Sequence, residues 1–191
     1  MEEKRDVFTR LKNGEKVSMA EKEYEAAIEH MDATRKLCFE INNTFTKILE
    51  LNPLFHEVFQ TKLHEGVHIV PPVQIDFGKQ ITIGKNVFIN HSLTCMSAGG
   101  ITIDDNVQIG PNVTMVTTNH DFDDRYSLCC KGIHIKENVW IGANVVIMPG
   151  VTIGENAIIA GGALVTKNVE ANTIVGGNPA KVLKTLPNKE K

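Results

Sequence analysis

The sequence predicts a mainly β fold, a parallel β-helix of triangular coils, with a small helical region at its N-terminus. Three observations carry that prediction. From Ile81 to Val165 an aliphatic residue, any residue and a second aliphatic recur every six positions, as in ITIGKN, VFINHS, ITIDDN, VQIGPN, IHIKEN, VWIGAN and VTIGEN. A helix would repeat every 3.6 residues, and an ordinary strand would alternate without punctuation. Second, the phase slips only after three hexads: Ile83, Ile89 and Cys95 are in step, Ile103 is two residues late, and Ile135 follows Met115 fourteen residues late. Third, Gly, Pro and Asn gather where the hexads end, as turns require. Three hexads therefore make one coil, and additions loop out at a corner.

In chain order, residues 1–62 read as helical. Ser18-Met19-Ala20-Glu21 has the form of a capping box. Tyr24, Ala27, Ile28, Met31, Arg35, Leu37 and Ile41 then keep helical spacing, and Thr44 to Leu51 continues it. Asn52-Pro53 breaks the helix, and Leu54, Phe55, Val58, Phe59 and Leu63 form a second, short one. So small a region cannot bury its apolar stripe alone, so it is expected to pack on the first coils. Val67, Ile69, Val73 and Ile75 begin a partial coil, with Pro71-Pro72 at the entry to the regular ones. The β-helix domain spans 63–185, its corner loop 116–132, and a charged tail 186–191 follows.

With 191 residues the chain is long enough for one domain with a real core, and its net charge of −3 gives no reason to expect nucleic acid or an anionic membrane as partner. No apolar run approaches the roughly 20 residues of a membrane span, and the charged N-terminus lacks a signal-peptide core. Cys38, Cys95, Cys129 and Cys130 have neither metal-ligand nor disulfide spacing, so a reduced cytoplasmic protein is expected.

The excess between Thr118 and Ile133, NHDFDDRYSLCCKG, has no structural necessity in a regular solenoid. Long loops in compact domains are more often functional, and this one opens on His120, whose imidazole can take a proton from a hydroxyl. As a loop residue on its own, His120 reads equally as an ordinary surface histidine. Asn90 and Asp76 read alternatively as turn residues, and Thr166, Lys167, Lys181 and Lys184 as solvated polar surface. Trp140, at the outward second position of its hexad, is expected to be exposed.

The hexads, the corner loop with its histidine, the run NVWIGANVVIMPGVTIGENAIIAGGALVTKNV and the terminal GGNPAKV together resemble the hexapeptide-repeat acyltransferases, in particular their galactoside and maltose O-acetyltransferase group. The resemblance implies a left-handed β-helix, a homotrimer with active sites between neighbouring prisms, and acetyl-CoA as co-substrate with no metal. It places the catalytic histidine on His120, an asparagine beside the reacting centre on Asn90 and an acceptor contact on Asp76. On the coenzyme A side it places Trp140, Ala143, Gly161, Thr166, Lys167, Lys181 and Lys184. The function implied is acetyl transfer to a hydroxyl of a sugar or sugar-like acceptor. Alternatives are acetylation of another hydroxylated or amino small molecule, such as an antibiotic or a nucleotide-sugar, and a non-catalytic trimeric scaffold. The zinc-dependent γ-carbonic anhydrases share the fold but need further loop histidines, and position 125 is Arg.

Three departures stand out. Acceptor-gripping aspartates of the family fall on Met19 and Ala98, and the glutamate that holds the catalytic histidine falls near Leu128. An acceptor larger or less polar than plain galactosides or maltose is therefore expected, with Asp121 or Asp123 as the residue that orients His120.

Overall fold

The computed structural model describes residues 5–187; of the tail expected at 186–191, residues 188–191 lie outside it. Helix α1 (Val7–Lys12) is capped by Asp6, whose carboxylate accepts from the Phe8 and Thr9 N–H groups. A two-residue strand, β1 (Val17–Ser18), follows. The capping box expected at 18–21 does not form. Ser18 lies in that strand, its hydroxyl accepts from Ala20 N–H at 3.2 Å, and the Glu21 carboxylate is taken by the Arg10 guanidinium. Strand pairing and burial of Val17 outcompete a local cap that would add about 1 kcal/mol.

Helix α2 (Glu25–Asn43) buries Ala27, Thr34, Cys38 and Ile41, which share one face. It ends at Asn43, short of the expected continuation to Leu51. The side chains of Asn43 and Thr44 take the Phe39 and Glu40 carbonyls, both at 2.7 Å, and so finish the last turn. A separate 3-10 turn (Ile48–Leu51) leads into α3 (Asn52–Phe59), where Pro53 sits in the first turn, the place a helix tolerates it.

From His68 the chain winds into coils of three strands. The coils are β2 (His68–Ile69), β3 (Val73–Ile75), β4 (Ile81–Ile83); β5 (Phe88–Ile89), β6 (Leu93–Met96), β7 (Ile101–Ile103); and β8 (Gln108–Ile109), β9 (Thr114–Val116), then β12 after an excursion. That excursion is a hairpin, β10 (Thr118–His120) and β11 (Ser127–Cys130), and β12 (Ile133–Ile135) completes the coil. Next come β13 (Trp140–Ile141), β14 (Val146–Ile147), β15 (Thr152–Ile153), then β16 (Ile158–Ile159), β17 (Leu164–Val165) and the Val169 bridge to Ile153. Strands β18 (Thr173–Gly176) and β19 (Lys181–Thr185) end the stack as an antiparallel pair. Parallel pairing builds three faces: β2-β5-β8-β13-β16-β18, β3-β6-β9-β14-β17, and β4-β7-β12-β15. With about five coils, this is the parallel β-helix that the hexads predict.

Both aliphatics of each hexad, from Ile81 and Ile83 to Ala163 and Val165, point into the prism and are buried. Each larger one contributes roughly 1.5–3 kcal/mol of apolar burial. Strands this short are stable only as members of the stack. Helices α2 and α3 lie against the first coil: Asn42 exchanges two hydrogen bonds with the Val73 backbone, 2.8 and 2.7 Å, and Phe55 and Phe59 are buried there. No helix among the described residues is long and apolar enough to cross a membrane.

The corner between the third and first faces is built on asparagine. Asn86, Asn106, Asn138, Asn156 and Asn172 all have positive φ there, the left-handed conformation that asparagine tolerates best after glycine. Their side chains also bond from coil to coil: Asn86 to Asn106 at 3.2 Å, Asn138 to Asn156 at 3.2 Å, and Asn156 to Asn172 at 3.0 Å.

Candidate active site

Most of the sequence-predicted site residues fall on the other two corners, while Trp140 lies in a strand of the first face and Lys181 and Lys184 in β19. Between the first and second faces, Asn90, Gly110, Gly142 and Ala160 follow their strands in register. Each N–H donates to a strand carbonyl one coil on: Asn90 to Ile109 at 2.9 Å, Gly110 to Ile141, Gly142 to Ile159 and Ala160 to Val175 at 2.8 Å. The coils touch closely here. A Cβ on Gly110 would lie 2.8 Å from Ala143 N, and one on Gly142 would lie 2.6 Å from Gly161 N. Only glycine fits at these two positions, and successive coils pack closely along this corner, with Ala143 and Gly161 in register with each other one residue beyond the Asn90 row. Trp140, 55 % exposed, stands beside it on the first face. At the top, Lys181 pairs with Gly176, and Lys184 with Ile174.

Asn90 is not a left-handed turn residue; Ser92, with φ +64°, supplies that conformation at its corner. The Asn90 side-chain Oδ1 instead accepts from His91 N–H at 2.8 Å. The turn reading of Asn90 therefore has no conformational basis.

Between the second and third faces stand Asp76, Ser97 and Thr117, one per coil, with Thr166 and Lys167 two coils above Thr117. Asp76 Oδ1 accepts from Phe77 N–H (2.6 Å), Ser97 N–H (2.7 Å) and the Ser97 hydroxyl (3.0 Å). Burial pushes its carboxyl above the ordinary aspartate value, and these hydrogen bonds only partly offset that. Asp76 also lines an open cavity of about 390 Å³, floored by Gln74, Thr94 and Met96 and walled by Ile28 and Met31 of α2. In the sequence Ile28 and Met31 are indistinguishable from core positions; one step around the helix from the buried face, they are left to line the cavity.

The segment 116–132 is not an irregular loop. Thr118, Asn119 and His120 pair with Cys130, Cys129 and Leu128, and β1 adds as a third strand, Val17 opposite Leu128. His120 is exposed, and its Nδ1 lies 2.7 Å from the Arg125 carbonyl. A carbonyl only accepts, so Nδ1 carries the proton and Nε2 is left with a free lone pair. Neither Asp121 nor Asp123 fills the orienting role expected for it. The Asp121 carboxylate faces Lys16 (3.1 Å) and the N–H groups of Asp123 and Asp124 instead. A backbone carbonyl has no residue signature, which is why the sequence could not name it. Leu128 is buried in a second apolar cluster with Ala98, Val17 and Tyr24, and Met19 packs on its edge.

Within one chain the two corners do not meet. Asn90 precedes the second face and the His120 hairpin follows it, so the width of that face separates them. Among the described residues, no group of three His, Cys, Asp or Glu side chains is placed to hold a metal.

Comparison with known proteins identifies the family. Residues 132–167 match the bacterial transferase hexapeptide family model, six repeats. The galactoside O-acetyltransferase of Escherichia coli is 36 % identical over 162 residues, covering 82 % of this chain and 79 % of that protein. A hexapeptide-repeat acetyltransferase of Vibrio cholerae, solved with acetyl coenzyme A, superposes with a TM-score of 0.85 at 35 % identity over 96 % of this chain and 100 % of the other. A galactoside acetyltransferase in complex with coenzyme A gives a TM-score of 0.86 at 33 % identity, covering 96 % and 92 %. Stacked hexapeptide coils, a histidine-bearing corner hairpin and this similarity over four-fifths of the chain make the protein a member of the hexapeptide-repeat acyltransferases, in their galactoside and maltose O-acetyltransferase group.

Proposed function

We propose that this acetyl-CoA-dependent acetyltransferase carries the acetyl group to a hydroxyl of a sugar-like acceptor, with His120 as general base. The observation that carries the reading is the 2.7 Å contact of His120 Nδ1 with the Arg125 carbonyl, which dedicates Nε2 to proton acceptance. The acceptor oxygen attacks the thioester carbon while its proton passes to Nε2. The tetrahedral oxyanion is held by a backbone N–H such as that of Ala143, and the C–S bond then breaks. The sulfur leaves as thiolate and takes the proton back from His120. No covalent enzyme intermediate is needed when both substrates are bound together.

The corner that carries Asn90, Ala143 and Gly161 suits the extended pantetheine arm, with Trp140 beside it. Lys181, Lys184, Thr166 and Lys167 supply cations and a hydroxyl for the phosphates. Because Asn90 and His120 stand at opposite edges of one face, the working unit is a homotrimer in which neighbouring chains bring them together. Asp76 is the acceptor contact at the cavity, and with Met19 and Ala98 in place of carboxylates, plain galactosides and maltose are poor acceptors. The test is coenzyme A release with a panel of sugars, glycosides and amino sugars at saturating acetyl-CoA. Turnover on a hydroxylated acceptor is expected. Turnover confined to amines would replace the hydroxyl, and a protein that neither binds coenzyme A nor turns over any acceptor would leave a scaffold.

A further inference from the structure

We propose that the first strand of the chain is a positioning element for the base, with Lys16 as its latch. The pairing of β1 with β11 and the Lys16–Asp121 ion pair hold the hairpin tip in the turn that presses the Arg125 carbonyl onto His120. This rests on the reading of His120 as the base.

The orientation of His120 depends on one peptide plane. The Arg125 carbonyl accepts from His120, and the N–H of the same peptide group, that of Tyr126, donates to Asp124 Oδ1 at 3.1 Å. Because the peptide is planar, fixing its N–H fixes its C=O. On the far side of Tyr126, its carbonyl accepts from Met19 N–H at 2.7 Å, so the segment after β1 grips the hairpin one residue beyond the critical peptide. The tip is closed by Asp121 N–H to Ser127 O and Ser127 N–H to Asp124 O, both 2.9 Å, and by the Ser127 hydroxyl on Asp124 at 2.6 Å.

This turn concentrates negative charge: Asp121, Asp123 and Asp124 occur within four residues. Asp121 organises it, since its Oδ1 accepts from the Asp123 and Asp124 N–H groups, each at 3.0 Å. The nearby Arg125 guanidinium goes to the Asp121 backbone carbonyl and lies 5.6 Å from the Phe122 ring. The Asp121 carboxylate pairs instead with Lys16 at 3.1 Å, from the residue just before β1. The hydrogen bond between them is the largest influence on both groups, lowering Asp121 and raising Lys16. A cation carried on one strand thus holds the carboxylate that shapes the neighbouring hairpin.

The test is a double-mutant cycle on the full-length enzyme with Lys16→Met and Asp121→Asn, plus Lys16→Arg as the conservative control. Asp121→Asn keeps a side-chain oxygen for the turn and removes only the charge, so it serves if Lys16→Met is compromised. Nitrogen NMR of the neutral His120 ring is expected to show Nδ1–H in the wild type and a tautomer mixture in Lys16→Met. The kcat of Lys16→Met is expected to fall about 10-fold, with the KM for acetyl-CoA and the thermal midpoint unchanged. The double variant should be no worse than either single one, and Lys16→Arg should restore both readouts. A Lys16→Met enzyme that keeps the Nδ1–H tautomer and at least half of wild-type kcat overturns the latch. So does a kcat loss accompanied by an equal loss of acetyl-CoA affinity and of thermal stability. Should His120→Ala prove active, the base assignment fails, while the tautomer response to Lys16 still decides whether the latch exists.

Discussion

An exposed imidazole has no reason to favour one ring nitrogen as donor until a partner imposes it. For His120 the Arg125 carbonyl does so, and its value to the reaction can be measured. His120→Ala is expected to lower turnover about 10²–10⁴-fold with acetyl-CoA affinity little changed; a variant keeping more than about a tenth of wild-type turnover would remove His120 from the mechanism. Asp76 poses the opposite case, a carboxylate kept where burial works against its charge. Its folded-state value lies above the unfolded one, so the folded chain binds the proton more tightly, and ionisation weakens folding as pH rises through that raised value. Asp76→Asn keeps an oxygen for Ser97 and Phe77 and removes the charge. Its urea midpoint at pH 7 should equal or exceed that of the wild type, with the gap closing as pH falls below about 4, where the unfolded-state carboxyl becomes protonated as well. At the same time the acceptor KM should rise severalfold. A variant less stable at pH 7 with unchanged KM would make Asp76 a structural tie between the first two coils and nothing more.

At the level of elements, the asparagine corner separates two contributions that each coil needs, backbone conformation and a side-chain link. Asn138, at φ +60° and bonded to Asn156, carries both. Asn138→Ala should cost about 2 kcal/mol, from left-handed strain and the lost bond, while Asn138→Gly keeps the conformation and should cost about half of that. Chemical denaturation of the two variants checks the order; equal losses would leave the side-chain link as the whole effect. Such positions were legible in the sequence because one geometric demand recurs in coil after coil. The hairpin was not legible, because β10 and β11 show no alternation between apolar and polar residues and take their pairing from the coil they leave. Nor was β1, since two residues have no period and the Ser18–Glu21 pattern favours a helix cap locally. The tertiary partner decided that competition. The corner of Asn90, Ala143 and Gly161 was half legible: glycine and asparagine at the hexad ends marked turns, but which corner they shared became visible only once the coils were stacked.

For the whole molecule, the proposed site implies that one chain holds two half-sites. Asn90 with the Ala143–Gly161 pair stands at one edge of the second face, and His120 with Asp76 at the other. A face this wide cannot fold to bring them together, because its strands are locked in register through the stack. A heterologous contact repeated around a threefold axis closes the gap without distorting any chain, setting the His120 edge of one prism against the Asn90 edge of the next. Exposed Trp140 and partly exposed Val146 and Met148 would supply apolar surface for the proposed junction. Sedimentation equilibrium at micromolar concentration should give three times the chain mass; a monomer alone would sink the shared site. Composition of the site is tested more sharply by mixing. His120→Ala and Asn90→Ala should each be nearly inactive as pure proteins. Co-refolded in equal amounts, they form trimers in which about a quarter of the junctions pair an intact His120 with an intact Asn90, so activity should recover to about a quarter of wild type. Were both residues supplied by the same chain, no mixture could contain an intact site and activity would stay at the level of the separate variants. Recovery therefore depends on the distance between two corners of a single prism, the same distance that the repeat of three hexads per coil sets.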